Sequence, residues 1–208
     1  MARSLKKLIA AVFCLVLLFE LSSCAVNTKS AEQTGFSMGS LVGIKLYGKN
    51  SEALENANLL AEVVKTDERI SKNYEGSDIY RVNSSGEHGE TVSVETYDEL
   101  RTVCDVYSDS HGKAAALSGA LTELWGFDTD EFRLPSEDEI ISAKEKCGDD
   151  KLIFDDGKKV YIPDGAKLNL GSAGKGIALD EAVKKIDEIN SQGGKITGAV
   201  ISVGGSVA

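Results

Sequence analysis

The segment spanning residues 167–203 constrains the fold more than any other part of the chain. Residues 167–170 read as a short strand, which runs into Gly171-Ser172-Ala173-Gly174-Lys175-Gly176 and then into a helix with apolar positions at Ala182, Val183, Ile186 and Ile189. Residues 198–203, apolar and β-branched, return as a strand that ends in Gly204-Gly205. A strand, a glycine turn, a helix and a second strand in such close succession require a sheet with a helix packed on it.

The rest of the chain supplies partners for that unit. Val42, Ile44 and Leu46 alternate with small or polar residues, so residues 36–47 are expected to form one half-buried strand, closed by Gly48 and Asn50. Ser51 is expected to cap a helix that carries Leu54, Ala57, Leu60, Ala61 and Val64 at helical spacing. Residues 93–107 repeat that pattern through Tyr97, Leu100, Val103 and Cys104, and Ser136 with Glu139 predicts a capping box after Pro135. Residues 152–162 predict a hairpin that turns at Asp156-Gly157. Strands and helices mixed without regular βαβ repetition point to a single α+β (mixed α/β) domain over residues 35–208, with a mixed sheet and packed helices. A sheet strand at the last residues leads to the expectation that the C-terminal part of this domain is missing.

The N-terminus has a different character. Arg3, Lys6 and Lys7 precede an apolar run over residues 8–19, followed by Leu21-Ser22-Ser23-Cys24. A membrane span needs about 20 apolar residues, and this run stops short at Glu20, so residues 1–23 are expected to be a removable signal peptide. Small residues before Cys24 resemble a bacterial lipobox, which makes Cys24 the expected lipidation site. Lipid there, palmitate included, anchors the protein to the extracytoplasmic face of the cell membrane, on its periplasmic or extracellular side. Residues 24–34, polar and without periodicity, are expected to be a flexible tether. The formal net charge of -10, with no basic cluster after the signal, excludes nucleic acid as a natural partner. Cys104 and Cys147 remain in the domain, and their spacing leaves open whether they pair.

Residues 171–176 carry the first chemical hint. Glycines after a strand let backbone amides approach an anion, the helix N-terminus adds partial positive charge, and Lys175 adds a full one. The spacing matches neither the P-loop nor the Rossmann fingerprint. A glycine turn of this kind also serves as a plain tight connection.

Five blocks stand in one order: Met38-Gly39, Ser77-Asp78-Ile79-Tyr80-Arg81-Val82-Asn83, Leu124-Trp125-Gly126-Phe127, Gly174-Lys175-Gly176 with Asp180, and Val203-Gly204-Gly205. Together they resemble the ApbE family of FAD:protein FMN transferases. The resemblance implies a transferase that takes FMN from FAD in the presence of Mg²⁺ and attaches it to a Ser or Thr hydroxyl of an exported flavoprotein. It further implies FAD contacts from Met38, Tyr74, Lys113, Ala114, Ala115, Asn169 and Lys175, and a metal ligand from the backbone carbonyl of Ser172, with the remaining ligands beyond Ala208. No catalytic side chain is implied, since the attacking hydroxyl belongs to the acceptor. His88 and His111 are expected to be solvated loop residues.

Departures from the family pattern leave other readings open. Ala115 and Leu117 stand where the family usually has Asp and Thr, and Asn169 stands where Asp is typical. An FAD pyrophosphatase that uses water as acceptor, or an FAD-binding lipoprotein without catalysis, fits the same residues.

Overall fold

The computed structural model describes residues 28–127, 129 and 131–208. The signal segment and Cys24 lie outside the described residues. Seven helices and seven strands are described, and they divide between two sheets. The larger sheet contains β1 (Lys29–Ser37), β2 (Ser40–Gly48), β6 (Ile196–Val203) and β7 (Ser206–Val207), in the order β1-β2-β6-β7, antiparallel throughout. The smaller contains β3 (Glu90–Thr91), β5 (Lys159–Tyr161) and β4 (Ile153–Phe154).

One face of the larger sheet presents Val42, Ile44, Leu46, Ile201 and Val203 to α1 (Ser51–Asn56), α2 (Leu59–Ile70) and α7 (Gly174–Ser191). The other face exposes Phe36, Leu41 and Val200, as the period-2 pleat of a one-sided sheet dictates. A second core gathers Ile79 and Val82 of α3 (Asp78–Ser85), Leu100 of α4 (Val94–Asp109), Val160 of the small sheet, and the loop residues Leu117, Ile162 and Leu168. Two shorter helices, α5 (Gly119–Trp125) and α6 (Glu137–Lys144), pack on each other beside it. Helices α2 and α7 contribute to both cores, Val63 and Ala178 to the first, Ile70 and Ile177 to the second.

The fold is α+β, as the residue pattern requires, but the expected mixed sheet is instead two separate antiparallel sheets, because no described strand pairs in parallel, and four local readings are also corrected. Residues 29–34, expected in the tether, form most of β1. Its inward positions are Ala31, Gln33 and Gly35 rather than large apolar residues, so composition hides the strand. Gln33 Oε1 accepts from Leu60 N at 3.0 Å in the first turn of α2, and a Cβ on Gly35 would lie 2.7 Å from Leu60. The single strand expected over residues 36–47 is instead a hairpin that turns at Met38-Gly39. The single helix expected after Ser51 is two, interrupted where Asn58 takes a left-handed φ of 42°, and its first cap is Asn50, whose side chain accepts from Ala53 N.

Residues 167–170, expected as a strand, join no sheet. Their extended backbone is clamped by the Asn83 side chain, whose Oδ1 accepts from Leu168 N at 2.7 Å and whose Nδ2 donates to Leu168 O at 2.9 Å. Asn83 thus serves Leu168 as a neighbouring strand would. Elsewhere the expectations hold: residues 94–109 form a helix, Ser136 and Glu139 form the capping box of α6, and residues 153–161 form a hairpin, while Ser93 is found to cap α4. Both thiols are free and half-buried. Cys104 donates to Asp149 O and Cys147 to Ala143 O. Burial and the Asp149 charge push Cys104 up to about 11, which keeps it a thiol at neutral pH.

Candidate functional site

Between the two cores, where the β1–β2 turn meets the N-terminus of α7, lies a cavity of about 150 Å³. Met38 forms one wall, Asp67 and Ile70 of α2 with the following Ser71 and Lys72 form the second, and Asn169 to Gly171 with Gly174 and Lys175 form the third. Met38 is packed against both cores.

The Met38 wall is built at a local cost. The two-residue turn has φ of 51° at Met38 and 65° at Gly39, the pattern of a type I′ hairpin that Asn-Gly ordinarily fills. A left-handed backbone costs an L-residue with a Cβ about 1–2 kcal/mol. Asp67 supplies the compensation: its Oδ2 accepts from Met38 N at 2.6 Å and from Ser37 Oγ at 2.8 Å. A net intramolecular hydrogen bond contributes about 0.5–1.5 kcal/mol, so the two together are enough to offset the turn.

The third wall is organised by Asn169. Its Oδ1 accepts from Gly171 N at 2.9 Å and so starts the tight turn over Leu170–Ser172. Its Nδ2 donates to Thr122 Oγ1 at 3.0 Å, while the Thr122 hydroxyl donates to Gly119 O at 2.9 Å. An ionised Asp has no donor to offer Thr122, whose own proton is already committed, so Asn at this position fits its surroundings. The departure from the family's Asp is therefore matched locally. Helix α7 then starts at Gly174 with no side chain capping it, which leaves its first-turn amides and the positive end of its dipole toward the cavity.

Lys175 joins this wall to both hairpin turns. A Cβ on Gly204, whose φ is 60°, would lie 3.0 Å from Lys175 Nζ and 3.0 Å from Ser40 Oγ. Only glycine lets the β6–β7 turn pass so close to the lysine.

Three of the residues expected at a flavin site, Met38, Asn169 and Lys175, are thus brought together. Others stand apart from the cavity. Tyr74 is 54% exposed, in the same loop as Ser71 and Lys72 but not lining it. Lys113 is exposed, and Ala114 and Ala115 are half-buried in the loop after α4. That loop meets the site where Ala116 O accepts from Asn169 N at 2.7 Å. Leu117, fully buried, has its amide and that of Ala116 bound by the Asp149 carboxylate at 2.6 and 3.0 Å. Ser172 is exposed in the turn before α7, and Asp180 lies on a separate groove between α4 and α7. Among the described residues no group of three His, Cys, Asp or Glu side chains could hold a metal ion, and His88 and His111 are exposed.

Asp67 escapes the motif reading, and Asn83 stands in a motif block without a role assigned to it. Asp67 is half-buried on α2, four residues after the buried Val63 and three before the buried Ile70, and a carboxylate at that spacing from apolar residues is the signal that marks it. Asn83 ends the block from Ser77 to Asn83, whose other members turn out to be structural. Ser77 caps α3, and Asp78 accepts from Ser93 N and Oγ and pairs with Arg81.

Comparison with known proteins bears on the family and the fold. The profile of the ApbE family matches residues 38–208. A protein of Haemophilus influenzae (strain ATCC 51907 / DSM 11121 / KW20 / Rd) named FAD:protein FMN transferase is 21% identical over 216 residues, covering 98% of this chain and 61% of its own. The crystal structure of the ApbE protein from Thermotoga maritima superposes with a TM-score of 0.73 at 25% identity, over 86% of this chain and 58% of that one. Flavin transferase ApbE from Vibrio cholerae gives 0.69 at 23% identity, over 86% and 59%. The chain spans about three-fifths of the length of these relatives.

Proposed function

Because the chain belongs to the ApbE family, we propose that it forms the FAD-binding part of an FAD:protein FMN transferase, acting on a Ser or Thr hydroxyl of an exported flavoprotein. The observation that carries this reading is the convergence of Met38, Asn169 and Lys175 on one cavity at the uncapped N-terminus of α7. Such a terminus favours a phosphate group, and Lys175 adds the charge that a pyrophosphate requires. Asn169 holds the turn that aims these amides.

In the proposed reaction the acceptor oxygen forms a bond to the phosphorus of the FMN half. The bond from that phosphorus to the bridging oxygen breaks, AMP leaves with the electron pair, and the hydroxyl proton passes to solvent. Transfer of this kind depends mainly on positioning and charge, so a site without a nucleophile of its own suits it. Magnesium, when bound, supplies charge neutralisation at the pyrophosphate. The described residues do not make up its ligand set, and the Ser172 carbonyl alone is a single ligand, so no step is assigned to the metal. Lipid on Cys24 anchors the protein to the extracytoplasmic membrane face, a reading supported by residues 1–24 of the sequence.

Incubating the chain with FAD, magnesium and a flavoprotein acceptor, then weighing the acceptor by mass spectrometry, tests the proposal. An FMN increment on one Ser or Thr supports transfer. Free FMN and AMP without acceptor support the pyrophosphatase reading, and FAD binding without turnover supports a binding protein. No FAD binding at all overturns the site. Radiolabelled palmitate incorporation that survives Cys24→Ala overturns the anchor.

A further inference from the structure

Asp67 is a half-buried carboxylate on α2, set by helical spacing on the face that carries the buried Val63 and Ile70. One of its oxygens, Oδ2, receives both Met38 N and Ser37 Oγ. The residue it holds is itself an outlier: Met38 has a φ of 51° in a turn that Asn-Gly fills at lower cost. Strained backbone persists where the surroundings over-determine it, and it clusters at ligand sites. Among the described residues Met38 is also the partly buried side chain that packs against both cores, and Met38 and Asp67 line the same cavity. A turn built for stability alone needs neither the methionine nor the carboxylate.

We propose that Asp67 is a positioning residue for flavin-nucleotide binding: one carboxylate oxygen holds the Met38-Gly39 turn in its left-handed form, so that Met38 closes the cavity over one end of FAD. The proposal rests on the flavin-site reading given above. It acts through the place of an acceptor oxygen, and negative charge is not its working part. Asp67→Asn, which offers an amide oxygen to the same two donors, therefore preserves binding. Asp67→Glu keeps the charge but displaces the oxygen, and so weakens binding.

The test measures affinity for FAD, FMN and AMP by titration calorimetry, with a melting temperature for each variant of the full chain. The stability control is Leu59→Ala, a fully buried residue of the same helix. Asp67→Ala and Asp67→Glu are expected to weaken FAD by roughly ten-fold, which corresponds to about 1.4 kcal/mol. The loss is shared with only one of the two half-ligands, FMN or AMP, because Met38 meets only one end. Asp67→Asn is expected to stay within about three-fold of the parent, less than half of the 1.4 kcal/mol that makes a ten-fold change. If Asp67→Ala does not fold, Asp67→Glu and Asp67→Asn carry the comparison. Parent-like FAD affinity in Asp67→Glu, equal loss toward FMN and AMP, or a loss no greater than in Leu59→Ala overturns the proposal. A parent chain that binds none of the three ligands overturns the flavin-site reading itself, a result distinct from a binding parent with unaltered Asp67 variants.

Discussion

The two cores are held together by different means. The first is a long antiparallel ladder covered by α1, α2 and α7, and its inward side chains are almost entirely aliphatic. The second has only two- and three-residue strands, and polar side chains take over the work of a ladder. Asn83 pairs with Leu168, Asp149 binds the Ala116 and Leu117 amides, and Asp78 receives Ser93. Arg69 also makes a two-pronged contact with Glu99, at 2.6 and 2.7 Å, that ties α2 to α4. Irregular backbone can be buried only if its amides and carbonyls find partners, and a carboxylate or amide side chain is the shortest way to supply them. The site lies on the seam, where the regular core provides rigid walls and the clamped core provides the exposed helix terminus.

Four substitutions set this contrast at risk, from the largest effect to the smallest. Leu46→Ala, fully buried in the laddered core, is expected to lower unfolding free energy by about 3–4 kcal/mol in urea titration, mostly through the cavity it leaves. A loss under 1 kcal/mol would show that this core is looser than its burial implies. Asp149→Ala leaves two buried amides without acceptors, so roughly 2–3 kcal/mol is expected although little apolar area is lost. If it proves neutral, the clamps are not what holds the second core.

Asp78→Asn tests the same idea through pH. Burial alone would raise the Asp78 carboxyl, but hydrogen bonds from Ser93 and the charge of Arg81 hold it below the usual 3.8. A lowered folded pKa contributes stability that is present above the unfolded value and is lost as pH falls through the folded one. The parent's advantage over Asp78→Asn should therefore be full at pH 6 and shrink below about pH 4. An advantage that persists unchanged at pH 2.5 contradicts the assignment. Lys45→Ala removes an exposed pair with Glu32 on the open face of the large sheet and should leave the urea midpoint essentially unchanged. A drop in the midpoint would mean that this face is not simply solvated.

Legibility in the sequence follows the same division. The laddered core announces itself in Val42, Ile44, Leu46 and the β-branched run of β6, because burial against one face imposes a period that survives in sequence. Strand β1 is the exception, since close helix approach demands Ala31 and Gly35 where a reader looks for large apolar residues. In the clamped core the capping box at Ser136 is legible, being local. The pairing of Asn83 with Leu168 is not, because its partners are 85 residues apart and no periodicity links them.

Sequence by itself therefore determined the α+β class, the capping box of α6, the glycine turn before α7 and the family to which the motif order points. The resemblance to that family also supplied Met38, Asn169 and Lys175 as candidates, and for Lys175 the glycine turn and its charge point the same way. Only the tertiary structure decided that these three share a cavity, that Tyr74 and the Lys113–Ala115 loop stand outside it, and that Asp67 and Asn83 hold its walls. Those facts depend on contacts between distant segments, which chain order does not record until packing brings them together.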